Sequence, residues 1–337
     1  MTGKNRQILL AEKPTDKLST SHFKQIEGDI PTAGPEEVLC RTLIVSQDAA
    51  NRAWMQGRTY RDEIGSGDVM ASGVLAEVVD SNHPDFKTGE LVEADGGWQD
   101  YFVRNGKALQ KRKRFDPLTN LLSVLGVTGK TAYFGLLKIG DPQPGETVVV
   151  SAAAGAVGNV VGQIAKIKGA RVIGIAGGDE KCAWLKSDLG FDDTIDYRSE
   201  NLHQALKEKC PNGIDVYFDN VGGDILGAVL FRMNMHGRIA CCGAVSQYDT
   251  GTPAPGPRGV PGLLVTKRLK MQGFIVSDFY DEIDKAEADL ANWVDSGELK
   301  VVEDILDGLE MAPEGLVGLL AGKNRGKRMI KVADPSA

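Results

Sequence analysis

Thr147-Val148-Val149-Val150-Ser151-Ala152-Ala153-Ala154-Gly155-Ala156-Val157-Gly158, running on into Gln163-Ile164-Ala165-Lys166, decides the fold of this chain. The β-branched run favours a buried strand, and the small residues after it let the backbone turn tightly and approach a ligand. The helix that follows aims free N–H groups and the positive end of its dipole at that turn, where a phosphate would bind. Together they form an Ala-x-x-Gly-x-x-Gly version of the glycine fingerprint of dinucleotide pyrophosphate sites. Alone, the turn also suits any tight strand-to-helix junction in an α/β domain, so its surroundings have to decide.

Those surroundings are a chain of βα units. Arg171-Val172-Ile173-Gly174-Ile175-Ala176 reads as a second strand, and Asp179 to Leu189 has helical composition with Gly190 at its end. Asp193-Thr194-Ile195-Asp196-Tyr197, a helix near His203 to Lys209, Ile214 to Asp219, a further helix and Gly237 to Gly243 repeat the pattern. This alternation predicts a parallel sheet covered by helices on both faces, with ligands beyond the carboxyl ends of the strands.

The end of the second strand selects the dinucleotide, because NAD-binding folds usually place an acid there against the ribose hydroxyls. Here the chain reads Ala176-Gly177-Gly178, with Lys181 one helical turn later as a counter-charge and Asp179 suited to an N-cap. No carboxylate stands ready to repel a 2′-phosphate, so NADPH is expected over NADH.

A chain of 337 residues exceeds the usual single-domain size and predicts two domains with a large core. Its 42% hydrophobic and 25% charged residues are ordinary for a globular protein. The net charge of -7 argues against general nucleic-acid binding, and the basic run Lys111-Arg112-Lys113-Arg114 reads as a solvated connector. No apolar stretch approaches the roughly 20 residues that span a bilayer, and the polar N-terminus lacks a signal-peptide pattern. A cytoplasmic protein with no membrane partner is expected.

Cys40, Cys182, Cys210, Cys241 and Cys242 are an odd number without framework spacing, which fits reduced thiols. A structural zinc needs closely clustered cysteines, and a catalytic zinc at Cys40 would need histidine and acid partners. The only histidines are His22, His83, His203 and His236, read as loop, loop, helix and turn residues. A metal-free protein is expected.

From about residue 5 to 120 the chain has short β-rich segments broken by Gly and Pro, such as Glu37 to Leu43, Val74 to Val79 and the turn into Leu91-Val92. They predict an antiparallel, partly barrel-like domain, to which a helix through Leu316 to Leu320 and a last strand at Arg328 to Val332 return. The cleft between two such domains is the expected place for an active site. Residues 249 to 262 hold four prolines and four glycines, which predicts a flap rather than helix or strand. A strand is expected through Gly273-Phe274-Ile275-Val276.

In this order of elements the chain resembles the medium-chain dehydrogenase/reductase superfamily, and within it the zinc-free leukotriene hydroxydehydrogenase/prostaglandin reductase group with its alkenal double-bond and curcumin-reductase-like members. The resemblance spans nearly the whole chain. It rests on Thr128 to Leu136, on Pro144 to Gly158, on Asp219-Asn220-Val221-Gly222-Gly223, on Cys242 to Tyr248, on Gln272 to Val276 and on Gly322 to Lys327. It implies a Rossmann-type doubly wound domain over 126–295 and a GroES-like β-rich domain over 1–125 completed by 296–337. It also implies NADPH-dependent hydride transfer to the β-carbon of an enal or enone, with a proton to the α-carbon, by a homodimer.

Residue by residue, the resemblance lines the pyrophosphate with Ala152, Gly155, Ala156, Val157 and Gly158, and puts Gly177, Lys181 and Tyr197 near the adenosine phosphate. Asn220, Cys242, Gly243 and Asn324 match cofactor-contacting positions, and Thr131 one near the nicotinamide. Read from its residue type alone, Asn220 equally suits a left-handed turn. Tyr248 matches the tyrosine of the family's Ser-x-Tyr motif, whose phenol can donate to the substrate carbonyl as charge develops. Its rivals as proton donor are a ribose hydroxyl and a water, and a packing role is the alternative.

Two departures bear on the substrate. Ala50 stands where many members have a tyrosine, in Asp48-Ala49-Ala50-Asn51-Arg52-Ala53-Trp54-Met55, and Ser277 stands where prostaglandin-reducing members have another. Trp54 and Tyr60 are the candidates to refill that pocket. A zinc-independent alcohol dehydrogenase, a carbonyl or quinone reductase, and a non-enzymatic NADPH-binding protein are the competing functions, since fold does not fix function.

Overall fold

The computed structural model describes residues 3–253 and 255–336. In chain order the strands are β1 Lys4–Leu10, β2 Phe23–Asp29, β3 Glu37–Ser46, β4 Gly73–Ser81, β5 Leu91–Asp95, β6 Tyr101–Asn105, β7 Gln110–Arg112, β8 Thr147–Ser151, β9 Arg171–Ala176, β10 Asp193–Asp196, β11 Ile214–Asp219, β12 Met233–Cys241, β13 Lys270–Gly273, β14 Glu303–Asp307 and β15 Lys327–Lys331. The helices are α1 Ala50–Ala53, α2 Val127–Phe134, α3 Ala156–Ile167, α4 Asp179–Ser187, α5 Leu202–Lys209, α6 Gly223–Arg232, α7 Val260–Lys267, α8 Ile283–Asp295 and α9 Ala312–Leu320.

The expected parallel sheet is present, in the order β10-β9-β8-β11-β12-β13. β8 lies at its centre, with Val148, Val149 and Val150 paired to Val172, Ile173 and Gly174 on one side and to Val216, Tyr217 and Phe218 on the other. All five residues of β8 are buried, as a strand covered by helices on both faces requires. Strand order reverses between β8 and β11, so the glycine turn leaves the sheet at the switch point where such folds bind ligands.

A second sheet, β14-β15-β3-β4-β5-β7 with β6 also paired to β3, is antiparallel except for β14 and β15. It joins the N-terminal strands to the two last ones, and Trp98, Phe102, Met70 and Leu316 are among the fully buried side chains packed in it. β1 and β2 form a separate antiparallel pair. The molecule is α/β, a Rossmann-type sheet beside a β-rich, partly barrel-like lobe.

Four local expectations need correction. Asp179 does not cap α4; Gly178 does, at φ 98°, and Asp179 is the first helical residue. The run at 111–114 is not simply a solvated connector, because Arg112 ends β7 and is buried against Glu287. The flap at 249–262 ends early: Val260-Pro261-Gly262 begin α7, since proline in a first turn removes no helical hydrogen bond. The strand placed at Gly273 to Val276 lies upstream, at Lys270–Gly273, and a short 3-10 segment follows from Val276.

Candidate active site

The glycine turn begins with strain. Ala152 takes φ 47°, a left-handed conformation that a side chain disfavours by roughly 1–2 kcal/mol. This bend turns the Ala152 carbonyl under the start of α3, where a Cβ on Gly158 would stand 2.4 Å from its oxygen. Position 158 must therefore be glycine for the helix to start so close to the strand. Gly155 caps α3 without a side chain, leaving the first-turn N–H groups of Ala156, Val157 and Gly158 without a side-chain acceptor. A returning segment closes the turn: Gly326 N–H donates to the Ala154 carbonyl at 2.9 Å, and Asn324 Nδ2 to the Gly326 carbonyl at 2.9 Å.

At the end of β9, Asp196 holds the glycine corner by accepting from Gly178 N–H at 2.8 Å and Arg198 N–H at 3.0 Å. The Gly178 hydrogen bond first, then those of Arg198 and Ser199, hold its carboxyl below the usual range. Arg198 and Tyr197 crowd Gly177 so closely that a Cβ there would meet Arg198 Nε at 2.7 Å and the Tyr197 ring at 3.0 Å. Lys181 reaches across to the Gly322 carbonyl at 2.7 Å. Burial first, then Arg198, Arg325 and Arg328, hold the Lys181 amine below its ordinary value. The corner gathers four cations, of which Arg325 is paired with Glu180 at 2.9 Å and Arg328 with Asp304 at 2.5 Å, while the Asp196 carboxylate faces backbone. Arg198 had not been singled out in the sequence, although it adjoins Tyr197.

The third loop hangs from buried Asp219, whose carboxylate accepts from Tyr217 hydroxyl at 2.8 Å and from the N–H groups of Val221 and Gly222 at 3.0 and 2.8 Å. Its carbonyl accepts from Cys242 and Gly243 N–H at 2.8 and 3.1 Å. Asn220 is not a left-handed residue; Gly222 and Gly223 supply that conformation, while Asn220 Nδ2 donates to the Ser151 carbonyl at 2.8 Å. The Cys242 thiol is pushed up to about 12, by burial first and then by Asp219 and Cys241, so it stays protonated. Asp219 and Ser151 both stand in the motifs quoted above, but only the fold shows that they brace this loop rather than face a ligand.

Tyr248 closes a short turn begun at Val245. Its hydroxyl oxygen accepts from Ala244 N–H at 3.1 Å and would lie 3.4 Å from a Cβ on Gly243. Opposite, Trp54 Nε1 donates to Tyr60 hydroxyl at 3.2 Å, and Arg61 covers the indole 4.4 Å from its centroid. Burial, then Asp48 and Tyr248, raise the Tyr60 phenol above its ordinary value, opposed by the Trp54 hydrogen bond. Buried Lys327 anchors Asp48 at 2.5 Å. Thr131 is half-buried on α2, which packs on α3. Ser277 is the second residue of the segment Val276–Glu282, and among the described residues no hydrogen bond ties it to this rim.

Cys40 is fully buried within β3, with its thiol pushed up to about 12 by burial. Among the described residues no three His, Cys, Asp or Glu side chains come together to hold a metal ion, and no helix is long and apolar enough to cross a membrane.

A family model described as the N-terminal domain of oxidoreductase matches residues 6–112, and one described as zinc-binding dehydrogenase matches residues 156–292. A Bacillus subtilis (strain 168) protein, the putative NADP-dependent oxidoreductase YfmJ, is 46% identical and matched over 100% of both chains. The NADPH-dependent curcumin reductase of Escherichia coli (strain K12) is 42% identical over 98% of this chain and 97% of its own. The crystal structure of CurA from Vibrio vulnificus in complex with NADPH superposes with a TM-score of 0.94 at 42% identity, covering 98% of this chain and 100% of that one.

Proposed function

The chain belongs to the zinc-free branch of the medium-chain dehydrogenase/reductase superfamily that holds the curcumin, prostaglandin and 2-alkenal reductases, and from that premise we propose that it reduces the carbon–carbon double bond of α,β-unsaturated aldehydes and ketones. It is an NADP-dependent oxidoreductase. Bound NADPH would supply the hydride for the β-carbon and solvent the proton for the α-carbon, while side chains and backbone of this chain bind, orient and polarise the substrate.

The residues fit that cofactor. The uncapped first turn of α3 offers N–H donors to a pyrophosphate, and the cations at Lys181, Arg198 and Arg325 surround the place where a 2′-phosphate would lie. Gly177, lacking a Cβ, lets Arg198 and Tyr197 pack directly against that corner. Asn220, Cys242 and Gly243 on the third loop, Asn324 on the segment that closes the glycine turn, and Thr131 on α2 are the further residues we assign to cofactor contact.

One observation carries the assignment of Tyr248 to this reaction. The Tyr248 oxygen already accepts from Ala244 N–H, and among the described residues its hydroxyl hydrogen has no acceptor. A phenol polarised in this way is a stronger donor, free for an oxygen whose charge grows during reaction. That is the demand of an enolate, which needs its oxygen stabilised while the carbons take hydride and proton. We assign the opposite wall to Trp54 and Tyr60, held together by the Trp54 Nε1 to Tyr60 hydroxyl hydrogen bond, as the aromatic pair that takes the place of the tyrosine absent at Ala50.

Incubation with NADPH and matched enones, saturated ketones and quinones, followed by mass analysis, tests this reading. Saturated carbonyl products are expected from enones, with turnover reduced roughly 10²- to 10⁴-fold in Tyr248→Phe. Alcohol products from the enones, or Tyr248→Phe with full turnover, would sink it. We place the substrate lobe at 1–125 and 296–337 and the nucleotide lobe at 126–295, and assign the protein to the cytoplasm as a homodimer joined through the β13 edge.

A further inference from the structure

The residue that follows Tyr248 is tied into the opposite lobe. Asp249 Oδ1 accepts from Leu18 N–H at 2.7 Å and from Arg52 Nε at 3.0 Å. Arg52, on α1, is 1% exposed, and its Nη2 donates to the Asp16 carbonyl at 2.8 Å. The Asp16 carboxylate accepts in turn from Gly251 N–H at 3.1 Å. Gly251 lies so near the N-terminal segment that a Cβ there would stand 2.4 Å from the Thr15 carbonyl oxygen. Three hydrogen bonds thus join segments more than 190 residues apart in the chain, and the fourth braces the arginine.

A buried guanidinium is a poor means of gaining stability, because apolar side chains of similar volume commonly serve as well. What a buried pair with fixed partners supplies is register. Here register has a use one residue away: the turn from Ala244 to Tyr248 fixes the phenol relative to Gly243, but nothing in that turn fixes it relative to Trp54 and Tyr60. We propose that Arg52 and Asp249 form a latch that positions the Tyr248 hydroxyl against the substrate wall of the opposite lobe. Both are positioning residues that act through Tyr248, and the proposal rests on the reading of Tyr248 given above.

The test uses the full chain with Asp249→Ala and, because that change leaves Arg52 without its counter-charge, also Gly251→Ala, which strains the clasp while keeping every charge. NADPH binding is followed by fluorescence, turnover of an enone by NADPH absorbance, and amide hydrogen exchange by mass spectrometry. Exchange at residues 15–18 and 249–251 should quicken in both variants, kcat should fall by roughly 10- to 100-fold, and NADPH affinity should be unchanged. Adding either substitution to Tyr248→Phe should cost nothing further, since both act on one hydroxyl. Wild-type kcat or unaltered exchange in both variants overturns the latch, as does a full additional loss on top of Tyr248→Phe. Full turnover in Tyr248→Phe is a different failure: it removes the reading of the phenol itself, and the latch with it.

Discussion

Lys181 is a cation placed among cations, and the field of Arg198, Arg325 and Arg328 together with burial holds its amine below the ordinary value. Burial and the neighbouring guanidiniums raise the cost of that charge, and a bound anion would relieve it. Lys181→Ala should weaken NADPH binding roughly 10- to 100-fold, as loss of a charged hydrogen bond worth about 1.5–3 kcal/mol predicts, and leave NADH almost unaffected. The sign of the pH dependence follows from the depressed value: the ammonium is lost as pH rises through it, so NADPH affinity falls on the alkaline side. Lys181→Arg should remove that alkaline limb, because a guanidinium stays charged. Titrating both cofactors against pH checks both points, and equal losses for NADH and NADPH would count against a 2′-phosphate at this corner. The corner was legible in Ala176-Gly177-Gly178 because it is local; the brace from Asp196 and the crowding by Arg198 were not, since they depend on where β10 ends.

Elements whose evidence was periodic and local came out as read: β8, the glycine turn, α3 and the alternation after them. The misreadings fall where proline or a neighbouring strand decides. Val260-Pro261-Gly262 read as flap because composition does not separate a proline in a loop from one in a first turn. β13 shifted upstream because its limits are set by pairing of Lys270 to Gly273 with Arg238 to Cys241. That strand forms one edge of the parallel sheet, and near it Val265 is 74% and Ile275 39% exposed. Open strand edges beside exposed apolar residues invite pairing with another chain. Light scattering should give about twice the chain mass of 36.1 kDa. Val265→Asp with Ile275→Asp should shift the protein to monomer without loss of fold by circular dichroism, since both positions are solvent-facing in the single chain. A wild-type monomer at micromolar concentration would refute the dimer.

Across the whole molecule the two sheets are joined by charge that no local pattern reveals. Arg112, at the end of β7, donates to Glu287 on α8 at 3.0 and 3.1 Å, and Lys130 on α2 reaches the same carboxylate at 2.8 Å. The arginine and lysine side chains are 3% and 5% exposed, and the partners Arg112 and Glu287 are 175 residues apart, which is why the basic run read as a solvated connector. Glu93 lies 3.6 Å from the same arginine, and burial raises its carboxyl above the usual value against the pull of Arg112 and Lys130. The two acids should therefore respond in opposite ways. Glu287→Gln removes the carboxylate shared by the two buried cations and should cost about 1.5–3 kcal/mol in denaturant unfolding, the worth of hydrogen bonds to a charged group. The cost stays in that range because Glu287 is itself 31% exposed and Glu93 stays beside Arg112. Glu93 follows the other sign: with its folded value raised, its contribution is full below the unfolded value near 4.3 and is lost as pH rises through the folded one. Glu93→Gln should flatten that decline and leave stability at neutral pH equal or higher. Unfolding midpoints measured from pH 4 to 8 distinguish the two, and a Glu93→Gln protein that loses as much as Glu287→Gln would mean that both carboxylates serve as counter-ions to the buried cations.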